Sequence, residues 1–389
     1  MISNAGQGAI RGNEAMSDSN RKRVNVIDLV AGARPNFMKL APVERALRAN
    51  GRVRTRIVHT GQHYDPGMND VFFTDLGIPP PDIHLDVGSG THGAQTARIL
   101  ERYEAHLLKK RPTATVVFGD VNSTVACALA AVKLGVPVVH VEAGLRSFDR
   151  TMLEEINRLL TDAISALLLV SEPSGLDNLR REGVPDHKVR MVGNVMIDTL
   201  LVELERAKAL DVSGRFGLRP GGYGLVTLHR PSNVDDPATL SALLRLLGEF
   251  SERLPLVFPM HPRTSAAANR AGFAEFLGGQ GRLRCVPPLP YRENLSLMME
   301  ARVVLTDSGG MQEETTVLNV PCLTLRDNTE RPVTIERGTS RLVGNAPDAI
   351  RAAFEEVLAG RWRHAEAIPL WDGHAGERIS EILLEGIVR

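Results

Sequence analysis

Charged and small residues recur in this chain at one kind of place, immediately after short, apolar, β-branched runs. They read Ala31-Gly32-Ala33-Arg34, Gly61-Gln62-His63, Gly119-Asp120, Glu142-Ala143-Gly144, His229-Arg230, His261-Pro262-Arg263, Asp307-Ser308-Gly309-Gly310 and Arg326-Asp327. Turns selected for stability alone favour Asn, Asp, Ser and Pro, whereas this set is rich in histidine, arginine and carboxylates. Asp120 and Glu142 each close an apolar run, where a carboxylate without a partner is costly to bury. Carboxylates and histidines that converge suit proton transfer. Ser308-Gly309-Gly310 precedes a helix-like stretch at 311–318. Two glycines let the backbone approach an anion closely, and the helix start offers free N–H groups; an ordinary N-cap by Ser308 explains the same serine. Arg34 and Lys39 flank the start of the first helix-like stretch, and Arg331 follows Asp327-Asn328-Thr329-Glu330. Such cations balance a diphosphate, with a solvated surface position as the competing reading of each. Glu154 and Glu155 open another helical stretch, and Arg158, one turn beyond Glu154, also fits a plain i,i+4 ion pair.

The runs that would position these residues are nearly continuous rather than alternating, as in parallel strands buried on both faces. They fall at 24–30, 53–60, 115–118, 136–141, 166–170 and 189–192, then at 224–228, 256–260, 282–286, 303–306 and 321–325. Helical stretches such as 38–50, 96–110 and 125–134 lie between them, which implies βαβ units. The pattern occurs twice, with a break after Asn194 where a helical stretch at 195–210 leads into a glycine-rich segment. The expected fold class is therefore α/β, with two doubly wound, Rossmann-like domains facing a central cleft; a single eleven-stranded sheet would be unusual. In such sheets ligands bind beyond the carboxyl ends of the strands. The expected boundaries are a disordered leader at 1–23, an N-terminal domain at 24–194 and a C-terminal domain at 195–371. A closing helix at 372–389 returns to the first domain.

The 389 residues balance 46 Lys+Arg against 46 Asp+Glu, which argues against a nucleic-acid partner. No apolar stretch approaches the ~20 residues of a membrane span, and the leader lacks a signal peptide's apolar centre. Cys127, Cys285 and Cys322 fit no zinc spacing or disulfide framework, so a cytoplasmic setting is expected. No GxGxxG follows the first strand, and there is no GxxxxGK[ST], HExxH or GxSxG. The pair His59/His63 straddles a strand end, so neither metal nor cofactor is expected.

Several stretches together resemble the non-hydrolysing UDP-N-acetylglucosamine 2-epimerases. They are Gly32-Ala33-Arg34-Pro35 with Lys39-Leu40-Ala41-Pro42, Thr60-Gly61-Gln62-His63, Gly119-Asp120 and His140-Val141-Glu142-Ala143-Gly144-Leu145-Arg146. The likeness continues in Glu154-Glu155-Ile156-Asn157-Arg158, Thr227-Leu228-His229-Arg230, Asp307-Ser308-Gly309-Gly310-Met311-Gln312-Glu313-Glu314 and Arg326-Asp327-Asn328-Thr329-Glu330-Arg331-Pro332. The resemblance implies the two-domain fold called GT-B. It implies Asp120, Glu142, Glu154 and His229 as catalytic residues and Arg34, Lys39, Ser308, Gly309, Gly310, Glu314 and Arg331 as UDP-sugar contacts. The partners expected are a UDP-sugar and a second copy of the chain, with no nucleic acid and no membrane. Leu153 stands where many members carry Pro, and Leu289 and Asn294 fall in a stretch that varies where relatives contact uracil. Gln62, Arg230 and His261 resemble a neighbouring activator site in some relatives, but Asp65 and Ala94 replace a Gln and an Arg there.

The implied reaction begins with departure of UDP, because the hydrogen on carbon 2 of the sugar has no adjacent carbonyl to acidify it. Cleavage at the anomeric carbon creates a cationic centre, a carboxylate takes the carbon 2 proton, and return on the opposite face completes epimerisation. Asp120 and Glu154 are the expected proton-transfer groups, with Glu142 and His229 orienting or stabilising. A modified UDP-sugar, hydrolytic release of N-acetylmannosamine, a GT-B glycosyltransferase and a non-catalytic binder are the alternatives.

Overall fold

The computed structural model describes residues 25–62, 70–273 and 281–386. The leader, His63 and Asp65 lie outside the described residues. The first half runs β1 (Val26–Ala31), α1 (Arg34–Asn50), β2 (Arg54–His59), α2 (Asp70–Leu76), β3 (Ile83–His84), α3 (His92–Lys109), β4 (Ala114–Phe118), α4 (Asn122–Lys133), β5 (Val138–Ala143), α5 (Leu153–Ile164), β6 (Leu167–Val170), α6 (Pro173–Arg181) and β7 (Val189–Met191). After α7 (Val195–Lys208) and α8 (Val212–Arg215) come β8 (Gly224–Thr227), α9 (Pro231–Val234), α10 (Pro237–Ser251), β9 (Leu256–Pro259), α11 (Pro262–Arg270), β10 (Leu283–Val286), α12 (Tyr291–Glu300) and β11 (Val303–Thr306). The chain closes with α13 (Gly309–Val317), β12 (Cys322–Thr324), α14 (Pro332–Glu336), β13 (Ser340–Leu342), α15 (Pro347–Leu358) and α16 (Ala375–Gly386).

The strands form two sheets, ordered β3-β2-β1-β4-β5-β6-β7 and β10-β9-β8-β11-β12-β13. Their pairings are parallel. All residues of β4 and β5 are buried, which is why these strands read as unbroken apolar runs. In each sheet the order reverses beside the first strand, between β1 and β4 and between β8 and β11. That reversal opens a crevice at the strands' carboxyl ends. β3 and β13 were not among the expected runs, since two or three residues leave almost no pattern to read. α1 starts at Arg34 rather than 38, because Pro35 at its first turn suits a helix start.

The two halves are joined through helices. α7 packs against α1, α12, α13 and α16, and α16 lies along α1. Pro42 inside α1 cannot donate to the carbonyl of Met38, and the Thr199 hydroxyl on α7 donates to that carbonyl instead, at 2.7 Å. A Cβ on Gly376 would lie 2.7 Å from the Pro42 carbonyl group, so only glycine permits this crossing of α16 over α1.

Candidate functional site

The first half of the site is built at the end of β4 and β5. Asn36, buried near the start of α1, accepts hydrogen bonds from the Gly32 and Ala33 amides (3.3 and 3.1 Å) and donates to the Phe118 carbonyl (3.1 Å). That side chain fixes α1 against the crevice, placing Lys39 beside Gly119 and in an ion pair with Glu142. β5 shifts register against β6 between Val141 and Ala143, and Glu142 at the bulge has φ +71°. A non-glycine residue in that region is strained, and a bulge re-aims a side chain; here it points a buried carboxylate at Lys39 and Arg331. Beneath it His140 bridges Asp162 (2.6 Å) and the Gly119 carbonyl (2.8 Å). Asp120 takes an ion pair from Arg158 at 2.5 Å. Arg158 is held in turn by Glu155 at 2.6 Å, and Glu155 accepts from the Ser147 and Phe148 amides (2.9 and 3.1 Å).

The plain Glu154–Arg158 pairing is thus corrected. Helical geometry turns Arg158 inward to Glu155 and Asp120, while Glu154 is exposed and lines the interlobe cleft.

The second half is organised by Asp307 at the end of β11. It accepts from the amides of His229 (3.0 Å) and Arg230 (2.9 Å), from Asn233 (3.2 Å) and from His229 Nδ1 (2.9 Å). Burial alone would raise this carboxyl, but the bonds and charge from His229 and the Arg230 amide hold it below the ordinary range. Ser308 occupies the N-cap position of α13 without a side-chain capping bond, so the ordinary-cap reading of this serine does not describe it. Arg331 is buried among three carboxylates. Its Nε lies 2.6 Å from Glu313, its Nη2 lies 3.5 Å from Glu142, and its Nη1 pairs with Glu330. Glu330 also pairs with Arg326 at 2.7 Å and approaches Arg230 at 3.9 Å. Glu314 accepts from the Tyr291 hydroxyl at 2.8 Å, and burial pushes its acid up to about 7.

Part of the expected set is brought together. Lys39, Glu142 and Arg331 are in direct contact, with Gly309 packed on Arg331 and Glu330. Asp120 pairs with Arg158, which has Glu330 as a charged neighbour, and His229 joins through Asp307 and Arg230, which approaches Glu330. Glu154 and His229 line a cleft of about 760 Å³ that also meets Arg230, His261, Arg326 and Asn328. Arg34 is half-buried, its guanidinium 5.1 Å from the centre of the Phe72 ring. Of the activator-site residues, Gln62 accepts from the Ser123 amide (3.0 Å) and hydroxyl (2.7 Å), and His261 is exposed on the cleft. Sequence reasoning gave no site role to Glu313, and it singled out Asp307 and Arg326 only as residues that follow strands. The sign of Glu313 in the sequence is its place inside the motif Asp307–Glu314. Among the described residues no group of His, Cys, Asp and Glu has the arrangement of a metal site. No helix among them is long and apolar enough to cross a membrane.

Residues 45–384 match the family model described as UDP-N-acetylglucosamine 2-epimerase. The UDP-N-acetylglucosamine 2-epimerase of Methanocaldococcus jannaschii is 41% identical over 92% of this chain and 99% of its own. The UDP-2,3-diacetamido-2,3-dideoxy-D-glucuronate 2-epimerase of Pseudomonas aeruginosa is 41% identical over 91% of this chain and 98% of its own. The crystal structure of the M. jannaschii enzyme in complex with UDP-GlcNAc and UDP superposes with a TM-score of 0.85, covering 93% of this chain and all (100%) of that one. A glycotransferase of kitacinnamycin, 15% identical with a TM-score of 0.54, shares the fold alone. Two facing Rossmann-like domains of the GT-B type, the match over most of the length and the shared motifs lead to one assignment: the chain belongs to the UDP-N-acetylglucosamine 2-epimerase family, isomerases of UDP-sugars.

Proposed function

We propose that this chain interconverts UDP-N-acetylglucosamine and UDP-N-acetylmannosamine by eliminating UDP and adding it back. The observation that carries the reading is the ring around Glu142. A bulge in the first sheet aims this carboxylate at Lys39, and at Arg331 beside the start of α13 in the second. A diphosphate seated against Ser308, Gly309 and Gly310 would meet free backbone N–H groups and the Arg331 guanidinium, with Lys39 and Arg34 as further cations and Glu314 toward the nucleoside. The bond from carbon 1 to the phosphate oxygen breaks with both electrons leaving on UDP. A carboxylate takes the proton from carbon 2, and the C–H electron pair becomes the double bond of a glucal. A proton delivered to the other face of carbon 2, and the UDP oxygen returned to carbon 1, give the epimer. No net oxidation occurs, so no nicotinamide is required. Asp120 and Glu154 carry the two proton transfers; Glu142 and His229 orient and stabilise.

Incubation with UDP-N-acetylglucosamine alone in heavy water tests this by proton NMR. The expected product is the manno epimer with deuterium at carbon 2. Retention of the original hydrogen, or dependence on an acceptor, refutes it; free N-acetylmannosamine identifies a hydrolysing enzyme. A second reading, a diacetamido-glucuronate substrate, is favoured by the equal identity to the P. aeruginosa relative, and the same assay with that nucleotide sugar decides between them.

The reading extends to organisation. The proposed domains are 24–194 and 195–371, with 372–389 returning to the first. A homodimer is supported by the row Leu153, Ile156 and Leu160 on α5, 48%, 37% and 51% exposed; a monomer in sedimentation equilibrium would refute it. Three buried free cysteines support a cytoplasmic setting, which fractionation of the source cells tests.

A further inference from the structure

Asn194 stands where the chain passes from the first sheet to the second, at the N-cap of α7, and is completely buried. Its side chain faces two ways. Oδ1 accepts from the Met196 amide at 2.9 Å and so caps α7. Nδ2 donates to Glu313 Oε1 at 2.9 Å, across 119 residues of sequence. Glu313, also completely buried, places the same oxygen 2.6 Å from Arg331 Nε in an ion pair, although the angle there is not that of a hydrogen bond. Arg331 then reaches Glu142 of the first sheet at 3.5 Å. A guanidinium has a planar, directional set of donors, so fixing Nε decides where the two terminal nitrogens point. An amide donor on Oε1 in turn decides how the Glu313 carboxylate presents itself.

We infer that Asn194 and Glu313 are positioning residues for Arg331. They hold its guanidinium between Glu142 of the first sheet and the start of α13, and tie that placement to the crossover between the two sheets. An apolar residue at either position would still fill space, but it would leave the buried Arg331 guanidinium without the Glu313 charge, or that carboxylate without its orienting donor. Because α7 packs on helices of both halves, a movement of one half relative to the other is transmitted to Arg331 through a single amide. The inference rests on the proposed role of Arg331 toward the diphosphate.

The test is a double-mutant cycle, read both in UDP affinity by calorimetry and in turnover. Asn194→Ser keeps an oxygen for the α7 cap but removes the amide donor, and Glu313→Gln keeps shape but removes charge. Each is paired with Arg331→Ala. Each single variant is expected to lower turnover by about tenfold, the middle of the range for coupled neighbours, with its melting temperature near wild type. In the Arg331→Ala background the same changes should have no further effect. Effects that multiply with Arg331→Ala, or losses that follow a fall in melting temperature, overturn the inference. So does an Arg331→Ala protein that binds UDP and turns over normally. If wild type binds UDP but turns over neither nucleotide sugar, the substrate reading fails and the cycle in UDP affinity alone judges the positioning role.

Discussion

At the scale of single residues, the three carboxylates assigned to the chemistry differ in how they are held. Asp120 is tied to Arg158, which Glu155 anchors in turn. Glu142 is locked between two cations. Glu154 is exposed on the cleft wall, near Arg230, and has the freedom a proton carrier needs. Asp120→Asn, Glu142→Gln and Glu154→Gln should each lower turnover by at least ~10²-fold, the lower range for acid–base groups. They should separate in stability. Glu142→Gln removes charge from a buried ionic cluster and should melt earlier, whereas Glu154→Gln should melt like wild type. Steady-state kinetics with thermal melts would decide, and near-normal turnover in all three variants would remove the basis of the assignment. As candidates, Asp120 and Glu142 stand out in the sequence because each closes an apolar run, whereas Glu154 is singled out only by the family resemblance. Their partners are not legible there, because Lys39 and Glu142 are 103 residues apart and only the fold brings them together.

At the scale of elements, two helix starts carry the argument. The first turn of α13 begins at Gly309, where a Cβ would lie 2.6 Å from Glu330 Oε1 and 2.7 Å from Arg331 Nη1. Gly309→Ala would push Arg331 away and block an anion's approach to the N–H groups, so UDP affinity should fall about tenfold while the fold survives. Unchanged affinity by calorimetry would refute the phosphate reading of this turn. The other is α16, whose first amides, of Ala375 and Gly376, donate to Asp198 on α7 at 3.1 and 2.7 Å. Asp198→Ala leaves those buried donors unpaired and should cost about 1–3 kcal/mol, seen as a lower denaturant midpoint; an unchanged midpoint would show that α16 is held by packing alone. The strand succession was readable because parallel strands buried on both faces have no polar alternation to confuse them. The role of Asn194 was not, since one residue at a domain break looks the same whether it ends a strand or braces an arginine.

At the scale of the molecule, the two halves meet through α6 and α14 as well as through the crossover helices. Glu172, at the start of α6, sits in that contact. Its Oε1 accepts from Ser174 at 2.5 Å, its buried Oε2 has no hydrogen-bond partner, and Glu313 and Arg331 are its charged neighbours. Burial pushes its acid up to about 8, and the nearby Glu313 adds to the rise, against the opposing Ser174 bond and the Arg331 charge. The folded carboxyl therefore keeps its proton at neutral pH, whereas in the unfolded chain it ionises near 4.5. Below that value both states are protonated and the contribution to stability is complete. Between about 4.5 and 8 the unfolded chain has released a proton that the folded one retains, so stability falls as pH rises and levels off beyond the upper value. Glutamine has the shape of the protonated acid and does not ionise. Glu172→Gln should therefore match wild type at pH 5 and exceed it at pH 8 by on the order of 2 kcal/mol, part of what a shift of this size allows after relaxation. Glu313 and Glu314, also raised by burial, add slopes of the same sign to both proteins, so the difference between the two isolates Glu172. Denaturant melts at the two pH values measure it. Parallel pH dependence in wild type and variant would mean that Glu172 is ionised in the folded state, and that the contact between the two halves holds a charge rather than a neutral acid.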